Sequence, residues 1–223
     1  MSNLKFVLLP LSTSMLHNLD ELGYKTMTPV QEESLPHILN NCDVIAQAKT
    51  GSGKTAAFGI GLLEKLDVKK FSIQSLVLCP TRELADQVAK ELRRLAREIQ
   101  NIKILTLCGG VAFGPQYGSL LHGAHIIVGT PGRVLKHLDK QSLSLKGLDT
   151  LVLDEADRML DIGFIDEIKR IIHYAPKSRQ TLLFSATYPD KIIQLSSAIQ
   201  KKPVNIQTNL TEQANKITEY FYE

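Results

Sequence analysis

Short runs of aliphatic and β-branched residues recur along the chain, separated by longer stretches with a helical rhythm. The runs are DVIAQ (43–47), SLVLCP (75–80), IKILTLC (102–108), HIIVG (125–129), TLVLD (150–154), TLLFSA (181–186) and PVNIQ (203–207). Most are apolar throughout rather than alternating with polar residues. Strands read this way when helices cover both faces of their sheet. Between them, TRELADQVAKELRRLAREI (81–99) places Leu84, Val88, Leu92, Leu95 and Ile99 at three- and four-residue steps, one face of a helix. The alternation predicts right-handed crossovers and a mostly parallel, doubly wound α/β sheet with helices on both faces. Such sheets bind ligands beyond the carboxyl ends of their strands, so the residues after each run carry the functional argument. The polar side of 81–99 carries Lys90, Arg93, Arg94 and Arg97 among Glu91 and Glu98. Mixed signs favour a solvated face over a nucleic-acid face.

Composition adds bounds rather than direction. The chain has 223 residues, 43% of them hydrophobic and 22% charged, which suits a globular protein with a sizeable core. No internal repeat or low-complexity linker interrupts it. A net charge of +3 permits a polyanionic partner without requiring one. Trp is absent and aromatics make up 6%, which argues against large stacking platforms. Cys42, Cys79 and Cys108 are far apart and odd in number, so they read as reduced thiols rather than a disulfide framework. His122 and His125 lack further ligands and read as turn and strand-edge residues, not a metal pair. The opening MSNLKFVLLPLSTS is too short and too early cut by Pro for a secretory signal. No run approaches the ~18 apolar residues of a membrane span. A cytoplasmic protein without membrane contact is the expectation.

The first run leads into AKTGSGKT (48–55), a phosphate-binding loop with Ala48 in the place of the usual first glycine. Gly51 and Gly53 let the backbone curl so that N–H groups point at phosphate oxygens. Lys54 brings charge to the outer phosphates, Thr55 offers a hydroxyl to Mg²⁺, and a helix starting near Gly53 adds its positive end. A Gly-rich strand-to-helix turn without function is the bland alternative. The order of strand, loop, Lys-Thr and helix speaks against it.

A P-loop enzyme also needs an acid at the end of another strand. TLVLDEADRML (150–160) supplies Asp154, Glu155 and Asp157 directly after an apolar run. Asp154 is the candidate Mg²⁺ holder, alongside Thr55, directly or through water. Glu155 is the candidate general base, and Lys54, Asp154 and Glu155 form the catalytic set. The competing reading, acids that merely complement a helix dipole, is worth ~0.3–1 kcal/mol each.

Asp154-Glu155-Ala156-Asp157 spells D-E-A-D, and the chain resembles the DEAD-box RNA helicases of superfamily two from about Phe6 to its end. GYKTMTPVQ (23–31) resembles the family's Q motif, with Phe6 seventeen positions before Gly23. The resemblance implies a RecA-like P-loop fold and an ATP site that includes Phe6, Tyr24, Lys25 and Gln31. It adds the loop residues Ala48, Lys49, Thr50, Gly51, Ser52, Gly53, Lys54 and Thr55. A Gln amide has one donor and one acceptor side, which suits the N6/N7 edge of adenine. Met27 stands where the family usually has Pro, and Lys49 where Gln is common.

Pro80, Thr81 and Arg82, then Gly109 and Gly110, then Thr130, Pro131, Gly132 and Arg133 match the family's RNA-contacting segments. Hydroxyls, arginines and close-approach glycines are the groups that grip a phosphodiester backbone. Thr81 and Thr130 also read as helix N-caps. Ser185 and Thr187 match the S-A-T segment, whose hydroxyls in the family bond the DEAD segment; Asp157 is the expected acceptor, and an N-cap at Thr187 is the alternative.

The resemblance therefore implies an RNA-dependent ATPase and RNA helicase that uses ATP and Mg²⁺. Residues 1–32 would form a Q-motif region packed on the core, 33–210 the RecA-like domain, and 211–223 the start of a linker. The linker would lead to a second RecA-like domain absent from this chain. The wording of several motifs is most similar to the bacterial DbpA-type branch, associated with ribosomal RNA and ribosome assembly. An ATP-gated RNA clamp with little unwinding is the alternative use of the same parts. A small-molecule kinase would leave the Q, TPGR and SAT segments unexplained.

Overall fold

The computed structural model describes residues 4–208. The linker expected at 211–223 lies outside them. Among the described residues, seven strands form one sheet in the order β3-β4-β2-β5-β6-β1-β7. They are β1 (Val44–Gln47), β2 (Ser75–Leu78), β3 (Ile104–Leu107), β4 (Ile126–Gly129), β5 (Thr150–Leu153), β6 (Gln180–Ser185) and β7 (Val204–Gln207). Every pairing is parallel. All seven apolar runs are strands, most of them trimmed at their ends because the chain turns away once it clears the ladder.

The unbroken apolar character of the runs has a direct structural cause. Val44, Ala46, Val77, Val128, Val152, Leu182 and Phe184 enter a core on one face. Ile45, Leu76, Leu78, Ile127, Leu151, Leu153 and Leu183 enter a second core on the other. Neighbouring strand residues point to opposite faces, so a strand buried on both sides is apolar along its centre, and its buried polar residues, such as Ser75, Thr150, Gln180 and Ser185, sit toward its ends.

The first face is covered by α1 (Thr13–Glu21), α2 (Pro29–Leu39), α3 (Lys54–Glu64) and α4 (Arg82–Leu95). Helices α6 (Pro131–Asp139), α7 (Ala156–Ile162), α8 (Ile165–Tyr174) and α9 (Asp190–Ile199) cover the second. The remaining helix, α5 (Phe113–Leu121), sits beside the edge strand β3 and buries none of its residues fully. Among the described residues no helix is long and apolar enough to cross a membrane.

The helix expected over 81–99 stops at Leu95, and Ile99 instead joins a turn whose N–H bonds the Ala96 carbonyl at 2.8 Å. The chain must reverse there to enter β3, and Asn101 takes a left-handed φ of 61° within that reversal. Val88, Leu92 and Leu95 are buried as the helical pattern requires, and Leu84 and Ile99 pack against the same core.

Parallel strands expose all their carboxyl ends along one edge. The loops after β1, β2, β3, β4, β5 and β6 therefore meet there. Strand order sorts them: the ends of β3, β4 and β2 lie together, and those of β5, β6 and β1 lie together.

Candidate functional site

The phosphate-binding loop leaves β1 tied to its neighbour, since the Ala48 N–H donates to the Ser185 carbonyl of β6 at 3.0 Å. Gly51 and Gly53 take φ of +80° and +95°, conformations that only glycine adopts readily. A Cβ on Gly53 would stand 2.6 Å from Gln31 Nε2 and 2.9 Å from Thr28 Oγ1. Helix α3 begins at the next residue. Lys54 is 6% exposed, and its ammonium donates to the Ala48 carbonyl at 2.9 Å, curling back to the start of the loop.

Gln31 locks this loop to α2. Its Oε1 accepts from the Thr28 N–H at 2.9 Å and its Nε2 donates to the Gly53 carbonyl at 3.1 Å. One amide thus reads the position of the glycine that starts α3. The second amide hydrogen and the second lone pair of Oε1 are left for another partner.

The acids come from β5. Asp154 is 2% exposed, and its Oδ1 accepts from the Glu155 N–H at 3.1 Å. Burial pushes its carboxyl up to about 6; Lys54 counters this and Glu155 adds to it. Glu155 takes a left-handed φ of 52° at the start of α7. Its carboxylate accepts from the Thr50 hydroxyl and from Arg158, each at 3.4 Å. A non-glycine residue in this region stores strain of order 1–3 kcal/mol, which the surrounding packing must hold.

Asp157 faces the segment after β6. Its Oδ2 accepts from both the N–H and the hydroxyl of Thr187, each at 2.9 Å. Although burial opposes it, the bonds from Thr187 and from the Arg158 N–H hold the Asp157 carboxyl below its ordinary value. The Ser185 hydroxyl also favours the charged form, but it is buried without a partner in bonding geometry. Thr187 does not cap α9, whose N-cap is Pro189.

The phosphate-binding loop, Gln31 and the first two acids line one cleft of about 530 Å³. Of the residues expected at an ATP site, Tyr24, Gln31, Thr50, Gly51, Gly53, Lys54, Thr55, Asp154 and Glu155 face it. Phe6 does not; it is buried and meets the Tyr24 ring edge-on at 6.2 Å, supporting it from behind. Lys25 is exposed and pairs with Asp20 at 2.8 Å, outside the cleft. Ala48, Lys49 and Ser52 shape the loop without lining the space.

The structure adds a wall from α4, two of whose residues, Glu91 and Arg94, belong to the charged face expected in solvent. Gln87, Glu91 and Arg94 face the cleft. The Tyr24 hydroxyl donates to Glu91, and the Arg94 guanidinium lies 5.5 Å from the Tyr24 ring centroid. Burial and Glu91 together push the Tyr24 phenol up to about 12. The mixed charges of this helix gave no local signal for the assignment. Only the arrival of Tyr24 from a distant loop turns two of them inward.

The second group of loops is also assembled. The Thr81 hydroxyl accepts from the Leu84 N–H at 3.2 Å and caps α4. Arg82 lies against Gly110, whose Cβ would come within 3.2 Å of its Nη1. Arg133 donates to Gln116 Oε1 and to the Val111 carbonyl, both at 2.8 Å. Gln116 in turn donates to the Cys108 carbonyl at 3.1 Å, so one side chain joins the loops after β3 and β4. Pro131 opens α6 at a position where its missing N–H costs nothing. Burial, with Arg133 and Lys136 nearby, brings His137 down to about 4, so this ring is neutral at physiological pH. His125 is a core residue: it is buried, its Nδ1 accepts from the Lys103 N–H at 2.9 Å, and its ring meets Phe71 at 4.8 Å.

An all-parallel sheet, a left-handed glycine loop running into a helix and a buried acid at the same edge define the class of RecA-like P-loop α/β proteins. Within that class, the model of the DEAD/DEAH box helicases matches residues 28–195, and the chain belongs to this family. It is 61% identical over 213 residues to the ATP-dependent RNA helicase DbpA of Escherichia coli K12, covering 96% of this chain and 47% of that protein. It is 44% identical over 214 residues to the DEAD-box ATP-dependent RNA helicase CshA of Bacillus cereus, covering 96% of this chain and 41% of that protein. Among solved structures, a DEAD box protein from Methanococcus jannaschii superposes with a TM-score of 0.89 at 39% identity. That match covers 94% of this chain and 57% of the other. The chain thus spans about half the length of the curated relatives it matches.

Proposed function

We propose that this chain is the N-terminal, nucleotide-binding half of the core of an ATP-dependent RNA helicase. It binds ATP with Mg²⁺ in the cleft and grips a single RNA strand by its backbone. With a second RecA-like domain it hydrolyses ATP to open short RNA duplexes. The observation that carries the reading is the shared carboxyl edge. The cleft and the Arg82–Gly110–Arg133 cluster lie side by side on it, and Asp157 joins β5 to the segment after β6 through Thr187.

The loop N–H groups and Lys54 hold the phosphates. Tyr24 and Gln31 face the base, with Phe6 behind them. Asp154 and the Thr55 hydroxyl are hard oxygen donors, and a carboxylate buried with so little hydrogen bonding fits a divalent cation. Bound there, Mg²⁺ would offset negative charge on the phosphates. Glu155 accepts the proton of the attacking water. Within the described residues, 33–208 would form the RecA-like unit, with 4–32 packed on it. The resemblance in motif wording points to structured RNA, ribosomal RNA during assembly, in the cytoplasm.

Glu155→Gln in a protein that carries both domains tests the reading. RNA-stimulated ATP hydrolysis should fall by about 10²–10⁴ while ATP still binds. Undiminished turnover would overturn the assignment of the base. The 223-residue chain alone should hydrolyse ATP very slowly, since an arginine finger from elsewhere is worth ~10³–10⁵ in rate.

A further inference from the structure

Helix α5 is apolar in sequence yet buries none of its residues fully. Its Tyr117 is 44% exposed and lies 6.5 Å from Phe113 with the rings nearly parallel, at 18°. Phe113 is itself backed by the buried His137 ring of α6 at 4.2 Å. Above the Phe113 ring stand two ammonium groups, Lys140 at 5.0 Å and Lys136 at 5.9 Å from its centroid. Both lysines are exposed, and neither forms an ion pair among the described residues.

Spacing gives this cluster a direction. Gly132, Lys136 and Lys140 follow at four-residue steps, so they descend one face of α6 over about 12 Å. The stripe begins inside the Thr130–Arg133 segment, where the proposed backbone clamp ends. Asp139 is engaged by Arg170 at 3.0 Å and by the Tyr174 hydroxyl at 3.1 Å. Asp166 and Glu167, on α8, bound the far side of the shallow groove beside the stripe. They limit a polyanion to the side where the rings are.

Unpaired cations interleaved with an exposed aromatic face are how proteins hold single strands without reading sequence. We propose that Lys136, Lys140 and Tyr117 form an auxiliary subsite for single-stranded RNA, continuing the track beyond the clamp. The lysines contact phosphates and a base stacks on Tyr117, with Phe113 and His137 as its rigid backing. The inference rests on the proposed RNA-binding function and adds a length to the strand that is held.

Fluorescence anisotropy of the 223-residue chain on labelled single-stranded RNAs of six and twelve nucleotides tests it. The combined Lys136→Gln and Lys140→Gln variant should lose about tenfold on the longer RNA, and less on the shorter. Its log K against log[salt] slope should flatten by about 1.4, at ~0.7 per phosphate contact on single strands. Tyr117→Ala should lose about tenfold on the longer RNA, within the range of one base–aromatic stack, and Tyr117→Phe should restore it. In the unaltered chain, 2-aminopurine walked through the longer RNA should be quenched at one position by a stack that Tyr117→Ala removes. Equal losses on both RNAs, or no loss on either, would overturn the subsite and leave this face to a protein partner. Failure of the unaltered chain to bind either RNA, or indifference of both lengths to Arg82→Ala, would instead count against the clamp itself.

Discussion

Asp154 stands where its chemistry requires, at the expense of fold stability. Its carboxyl is 2% exposed and receives one N–H, from Glu155. Burial raises it from an ordinary 3.8 to about 6 even with Lys54 nearby. Folding therefore tightens the hold on this proton. The contribution of Asp154 to stability is fully present below 3.8 and is lost as pH rises through about 6. At about 1.4 kcal/mol per pH unit, the loss at neutral pH is about 3 kcal/mol. Asp154→Asn keeps the oxygen that accepts from Glu155 and removes the charge. The free chain should then be more stable at pH 7.5, by about 3 kcal/mol or roughly 6–12 °C in Tm for a domain of this size. The assay is urea unfolding of both proteins at several pH values between 4 and 8, with chelator and without nucleotide. The advantage of the variant should shrink through the window between 6 and 3.8 and vanish below it. A variant no more stable at pH 7.5, or one whose advantage ignores pH, would refute the reasoning. In the same variant RNA-stimulated hydrolysis should collapse, separating the group's chemical use from its cost to the fold.

Gly53→Ala should destabilise the chain by about 2 kcal/mol in urea titration. The new Cβ meets Gln31 Nε2 at 2.6 Å and the backbone must hold a φ of +95°. Unchanged stability would mean that the loop is not held by Gln31. Thr187→Val removes a hydroxyl that donates to the charged Asp157. At neutral pH it should cost about 1 kcal/mol, discounted for exposure. Because the Asp157 pKa is depressed on folding, its stabilisation is present above 3.8 and lost as pH falls below that. The penalty of the variant should hold from pH 7 to about pH 4 and fade only below 3.8; a penalty unchanged well below that pH would contradict the bond.

Much of this protein was legible in its sequence because the signals are local. A strand covered on both faces is apolar along its centre, so the central runs were legible as strands, and edge strand β7 was too, although Asn205 and Gln207 are exposed. A phosphate-binding loop needs glycine where φ is positive, and Gly51 and Gly53 sit at those points. The acids of the DEAD segment follow the end of a strand for the same reason: a parallel sheet presents its ligands there.

Tertiary structure decided what depends on distant partners. Nothing in the chain announces that β6 lies between β5 and β1, yet that order brings Thr187 to Asp157 and Ser185 to Ala48. Glu91 and Arg94 look like any solvated helix face until Tyr24, 67 residues from Glu91 in the chain, arrives to meet them. Lys25 sits beside Tyr24 in sequence but pairs with Asp20 outside the cleft, because the chain turns at Tyr24, where the Lys25 N–H donates to the Gly23 carbonyl at 3.0 Å. Arg133 is aimed by Gln116 and the Val111 carbonyl, across a strand pairing that no periodicity encodes. Local pattern sets backbone shape and which face is apolar; the choice of neighbours is made by the packing of the whole sheet.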